Sequence, residues 1–120
     1  DGRTSDAVAV MDKCIEFFPN DKLPFDRYML SFVDMYYQAG EMEKGDALVN
    51  AIAENAVDNL RYYSSLTSKF KTYYSDYIRE DLSILQNLVS ISNVYKRYQL
   101  KLEVEKLFNE QYGNLYMYIK

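Results

Sequence analysis

The 120 residues are 48% hydrophobic with a net charge of −4, enough apolar content for one cored domain and no overall cationic surplus, so nucleic acid or an anionic membrane surface is a poor partner by default, while local basic clusters stay open. With no histidine and one cysteine, the chain lacks the commonest general base, the Cys/His and Ser/His nucleophile pairs, the usual zinc ligand sets and an internal disulfide. It has no glycine-rich loop, no run near the roughly 20 apolar residues of a membrane helix, and neither the basic start nor the apolar core of a signal peptide, so we expect a non-catalytic chain that needs no cofactor or metal and is not itself inserted in a membrane.

Taken in order, the first element is a helix from about Thr4 to Phe18, capped by Thr4 or Ser5 and stopped by Pro19-Asn20. Ala7, Met11, Cys14 and Phe18 form one stripe, while Val10 and Phe17, flanked by Val8 and Ile15, form a second that calls for another neighbour. The proline-bearing stretch 21–25 reads as an extended link. A helix from about Asp26 to Ala39 follows, with Met29, Phe32, Val33 and Tyr36 at helical spacing, and Gly40 ends it. The third helix places Gly45, Leu48, Val49, Ile52 and Ala56 inward and meets no breaker before about Tyr63. Residues 64–77 are polar and aromatic and read as a connecting segment with a short helix around Lys69 to Tyr74. A long helix from Ser75 or Asp76 to Tyr98 carries two stripes, Ile78, Leu82, Leu85, Val89 and Ile84, Leu88, Ile91, Tyr95, so it should be sandwiched. The last helix, from about Leu100, buries Val104, Leu107, Phe108 and Leu115.

The spacing of Ala7, Met11, Cys14 and Pro19 after Gly2, and the run YYQAGEMEKG from Tyr36 to Gly45, resemble the tetratricopeptide repeat (TPR): paired aromatics, a turn glycine, then a small residue where helices cross closely. Gly2 then stands in the turn after a repeat helix that precedes it. The expected architecture is all-α, about five helices in TPR-like antiparallel hairpins forming a right-handed helical-repeat stack: one and a half repeats over 1–63, a connector over 64–77 and a degenerate helical pair over 78–120. Gly2 and Gly40 lie 38 residues apart, against about 34 in a regular repeat, which places the extra residues in the proline-bearing link. No glycine marks the turn near Gln99, so the third unit matches weakly. Uncovered, the helix 4–18 face should drive self-association through Val10 and Phe17.

In such arrays the first helix of each repeat lines the concave surface. The residues off its buried stripe, Arg27, Asp34, Tyr37 and Gln38, with Asn93, Lys96 and Arg97 on the third unit, are the candidate contacts for a protein or peptide partner. A solvated helix face is the bland alternative for the same side chains. Thirteen tyrosines and no tryptophan admit a sugar-stacking platform; the simpler reading packs one ring of each pair (Tyr36-Tyr37, Tyr62-Tyr63, Tyr73-Tyr74) in the core and leaves the other on the helix edge. Glu80-Asp81 and Glu103, Glu105 and Glu110 read as solvated surface, and Cys14 as a small buried residue at a crossing.

Beyond the generic repeat, the string DAVAVMDKCIEFFPNDKLPFDRYMLSFVDMYYQAGEMEKGDALV, continued by DNLRYYSSL and a leucine-rich helix to about residue 110, resembles the C-terminal soluble tail of large bacterial multi-spanning membrane proteins of unknown function, similar to the protein O-mannosyltransferase class of lipid-linked glycosyltransferases. That resemblance implies a helical appendage on a bacterial inner-membrane protein, with the periplasmic side preferred. Any active site would lie in the membrane part, so no catalytic residue carries over. The competing reading is a free-standing TPR scaffold or a glycan-binding domain of a secreted or lipid-anchored protein. Hydrophobic stretches of about 20 residues upstream of Asp1 would favour the first, and a signal peptide followed by more repeats the second.

Overall fold

The computed structural model describes residues 2–20 and 26–119; the link expected over 21–25 lies outside them. The described residues are all-α: six α-helices and two 3₁₀ turns, with no strand among them. The chain divides into two compact units, residues 1–52 and 53–120.

The first unit contains α1 (Gly2–Phe17), the 3₁₀ turn Arg27–Met29, α2 (Leu30–Gln38) and the start of α3 (Met42–Ser64). Helix α1 begins at Gly2, ahead of the expected Thr4. It buries Met11, but Cys14 is exposed and Phe18 is 62% exposed, so the expected four-residue stripe reduces to Met11 with Ala7 half-covered. The second stripe is open as expected, with Val10 62% and Phe17 70% exposed. Asp26 caps the next segment, its carboxylate accepting from the Tyr28 amide at 2.9 Å, the usual service of a short acid to an orphan helix N–H.

Helix α2 ends in a left-handed turn. Gly40 has φ +81°, its amide donates to the Tyr37 carbonyl at 3.0 Å, and the Glu41 amide reaches back to Tyr36 at 2.9 Å. This is the Schellman pattern, which satisfies the last carbonyls of a helix and favours glycine where φ is positive. Five residues on, Gly45 lies so close to Tyr37 that an added Cβ would stand 2.4 Å from the ring. In α3 the expected face is buried, Gly45, Leu48, Val49 and Ile52 in the first unit and Ala56 in the second, and Ala53, Val57 and Leu60 of the second unit are buried as well. Apolar Val57 in place of a terminator lets the helix run on to Ser64.

The second unit continues with α4 (Ser68–Tyr73), α5 (Ser75–Val94), α6 (Tyr98–Leu115) and the 3₁₀ turn Tyr116–Tyr118. The short helix expected in the connector is present as α4, and with it the described residues hold six α-helices against the expected five or so. Helix α5 buries Ile78, Leu82 and Leu85 on one stripe and Ile84 and Leu88 on the other, and it packs extensively against α6. On α6, Val104 and Leu115 are buried as expected, joined by Leu100 and by Gln111, whose Oε1 has no hydrogen-bond partner among the described residues.

The α5–α6 turn repeats the α2–α3 turn without a glycine. Lys96 has φ +61°, its amide donates to Asn93 at 3.1 Å, and the Arg97 amide donates to Ser92 at 2.8 Å. In both turns the following helix starts two residues after the left-handed position, at Met42 and Tyr98. A side chain at such φ costs roughly 1 kcal/mol. Lys96→Gly is therefore expected to raise Tm by about 4 °C and Gly40→Ala to lower it by a similar amount; thermal denaturation followed by circular dichroism checks both signs.

Candidate partner-binding surface

The seven residues proposed from sequence fall into two groups, one in each unit. On the first, Arg27 is exposed beside exposed Tyr28: its Nη2 donates to the Tyr28 Oη at 3.0 Å, and its guanidinium carbon lies 5.0 Å from the ring centroid. Gln38 is exposed and its Nε2 donates to Oδ2 of half-buried Asp34 at 2.8 Å, one helical turn back. Such an i,i+4 pair fixes both side chains on one face of α2.

Tyr37 does not join them. It is 2% exposed, its ring fills the space left by the missing Gly45 side chain, and its hydroxyl donates to Asp46 Oδ1 at 2.6 Å. Helix α2 buries a wide arc, Val33, Tyr36 and Tyr37 together, so both members of this tyrosine pair are core, against the expectation of one. The exposed ring beside Arg27 is Tyr28, 70% exposed, which sequence reasoning passed over because it precedes the periodic part of the helix. In the second unit, Asn93 is in the last turn of α5 and Lys96 and Arg97 are in the α5–α6 turn, with Asn93 and Lys96 exposed and Arg97 half-buried.

One polar cluster was not anticipated. Asp12 on α1 accepts from the Tyr36 hydroxyl at 2.7 Å and from Lys44 Nζ at 2.8 Å, and the three line an open depression of about 290 Å³ with Ile15, Ala47, Leu48 and Ala51. Nothing in the sequence links residues 12, 36 and 44, which meet only through tertiary packing. The Lys44 ammonium, then the Tyr36 hydroxyl, hold the Asp12 carboxyl below its usual range. Burial, then Asp12, pushes Tyr36 far above its ordinary value, and the Asp12 hydrogen bond raises Lys44. Every member thus keeps its ordinary charge state near neutral pH, so the cluster serves as a clasp between α1 and the α2–α3 segment.

Because the Asp12 pKa is depressed in the folded state, its stabilisation is full above the ordinary value of 3.8 and fades as pH falls through the lower folded value. The carboxylate is 41% exposed, so solvent screening keeps the effect small. Asp12→Asn is expected to melt about 2 °C below the native protein at pH 7, with the gap closing below about pH 4. Melting curves across that range test it.

In the other two tyrosine pairs one ring is half-buried and one exposed, which falls short of the core position expected for one ring of each. Tyr63 is half-buried and stacks on half-buried Tyr74 with ring centroids 5.5 Å apart; Tyr62, Tyr73 and Tyr77 pack around this pair at 5.1–5.8 Å and stay 55–76% exposed. Burial, chiefly, raises the Tyr63 hydroxyl above its ordinary pKa. Along α6, Phe108, Tyr112 and Tyr116 make a ladder with centroids 5.6 and 6.0 Å apart.

Among the described residues no group of three or more acidic, cysteine or histidine side chains is placed to hold a metal ion, and no helix is long and apolar enough to cross a membrane. The fold class is all-α. No family model, no curated protein sequence and no solved structure matches this chain.

Proposed function

We propose that the chain is a non-catalytic helical-repeat module of TPR-like type that binds a protein or peptide partner, and that it forms the soluble C-terminal tail of a bacterial multi-spanning membrane protein similar to the protein O-mannosyltransferase class. The observation that carries the repeat reading is the recurrence of one turn: Gly40 and Lys96 take the same left-handed position, with the same pair of backbone hydrogen bonds and the same two-residue step into the next helix. Antiparallel hairpins built on one repeated device are how a helical-repeat protein is assembled. The partner surface on this reading is, in the first unit, the exposed face of the α2 segment, Arg27 with Tyr28 and Asp34 with Gln38; Asn93, Lys96 and Arg97 are a candidate patch of the second unit, taken by itself. Arginine and tyrosine side by side make the kind of anchor that carries binding energy.

Partner capture from native membranes tests the reading, comparing the full-length protein with one lacking these 120 residues and with the double variant Arg27→Ala, Tyr28→Ala. Loss of the same specific protein from both altered samples is the expected result; an unchanged partner list overturns it. Isolated from its parent, the chain should pair with a second copy through Val10 and Phe17, both mostly exposed. Sedimentation at rising concentration should reveal a dimer that Val10→Ser with Phe17→Ser weakens by more than about tenfold.

A further inference from the structure

Helix α4 differs from the other α-helices in having no buried residue, although it carries Phe70 and Tyr73, 52% and 76% exposed. Helices of globular domains keep their aromatic face against a core, and here that face is presented outward. The charge of the segment that contains it is equally unusual, although Glu80 and Asp81 of α5 lie near Tyr63. The seventeen residues between Asp58 and Asp76 hold Arg61, Lys69 and Lys71 and no acidic side chain, in a chain whose net charge is −4. Arg61 and Lys69 are exposed; Lys71 lies with its ammonium 5.1 Å from the centroid of the Tyr118 ring. Tyr62 and Tyr77, 60% and 55% exposed, complete the rim.

We propose that this aromatic and basic surface, α4 with the end of α3, docks on an anionic phospholipid headgroup layer. The chemistry matches on two counts. Phenylalanine and tyrosine rings settle at the boundary of headgroup and acyl chain, where the ring meets hydrocarbon and the hydroxyl stays wet. Lysine and arginine at the same level meet lipid phosphates, each adding about fivefold to partitioning. Single-stranded nucleic acid would also welcome rings and cations, but its binding proteins track the strand along a groove and stack bases on free ring faces. Here α4 lies against α5 with Lys71 over the Tyr118 ring, and the tyrosine rings are already engaged with one another edge to face. The docking inference rests on the membrane-tail reading only for what brings the surface to a bilayer; the surface chemistry stands by itself.

The test is co-sedimentation of the 120-residue protein with phosphatidylcholine vesicles with and without about one-third phosphatidylglycerol. Binding should need the anionic lipid, weaken with added salt, fall by about tenfold or more in Lys69→Glu with Lys71→Glu, and fall about fivefold in Phe70→Ser. Because α4 buries nothing, these variants should keep native circular dichroism and Tm, which separates loss of docking from loss of fold. Absence of binding to anionic vesicles, binding unchanged in both variants, or lysine-dependent binding to a single-stranded oligonucleotide but not to vesicles would each overturn the proposal. Failure of docking would leave the partner-capture result untouched, so the two readings fail separately.

Discussion

Gly45→Ala is expected to destabilise the protein by about 2 kcal/mol and lower Tm by about 8 °C, against the direction that helix propensity alone dictates. An alanine in a helix interior gains about 1 kcal/mol over glycine. The new Cβ would lie 2.4, 2.6 and 2.9 Å from Cε1, Cδ1 and Cζ of Tyr37. That ring is 2% exposed and tied at its hydroxyl to Asp46, so it cannot swing aside without losing its packing and a charge-assisted hydrogen bond. Forcing the core to accept the methyl costs about 3 kcal/mol, and the steric term wins. A double-mutant cycle gives the decisive reading. With Tyr37→Ala in the background the clash is gone, and Gly45→Ala should become stabilising by about 1 kcal/mol. A stabilising Gly45→Ala in the native background would refute the close packing of ring on backbone.

Leu85→Ala should cost about 3 kcal/mol, with the urea midpoint lowered and the m-value unchanged. Leu85 is fully buried on α5, a helix covered on both of its apolar stripes, so the vacated space has rigid neighbours and collapses little. Leu102→Ala on α6 is the matched control. At 58% exposure it should change stability by less than about 0.5 kcal/mol. Equal effects at the two positions would place α5 outside the core.

The helices that carry a dense, periodic apolar pattern could be read from sequence alone. Two interleaved stripes on α5 meant burial on two faces, and the inward face of α3 was legible down to Ala56, with no breaker to stop the helix before about Tyr63. What escaped the sequence depends on how much of each helix its neighbours cover. In α2 the buried arc extends to Tyr37, which moved that residue from the candidate surface to the core. In α1 only Met11 is fully covered, with Ala7, Val8, Asp12 and Ile15 half-buried, which left Cys14, and Phe18 just past the helix, outside. The α5–α6 turn was expected near Gln99 and lies a few residues earlier, because its left-handed residue is Lys96 and no glycine marks the position. The candidate surface was legible where it needed only local helix geometry, as with Asp34 and Gln38 one turn apart. It was illegible where distant segments converge, as with Asp12, Tyr36 and Lys44.

The contact between Tyr37 and Gly45 also bears on how this sequence can drift. A ring that occupies a neighbour's Cβ position ties the two positions into a single heritable unit: while the tyrosine stays, every single-base change at 45 that adds a side chain is a step downhill, and only a prior loss of the ring opens that path. In an alignment of related chains, columns 37 and 45 should therefore covary, an aromatic accompanying glycine and a smaller apolar residue accompanying alanine or serine. The Gly40 position, with open space around its missing Cβ, should answer to backbone conformation alone and vary without reference to any partner column.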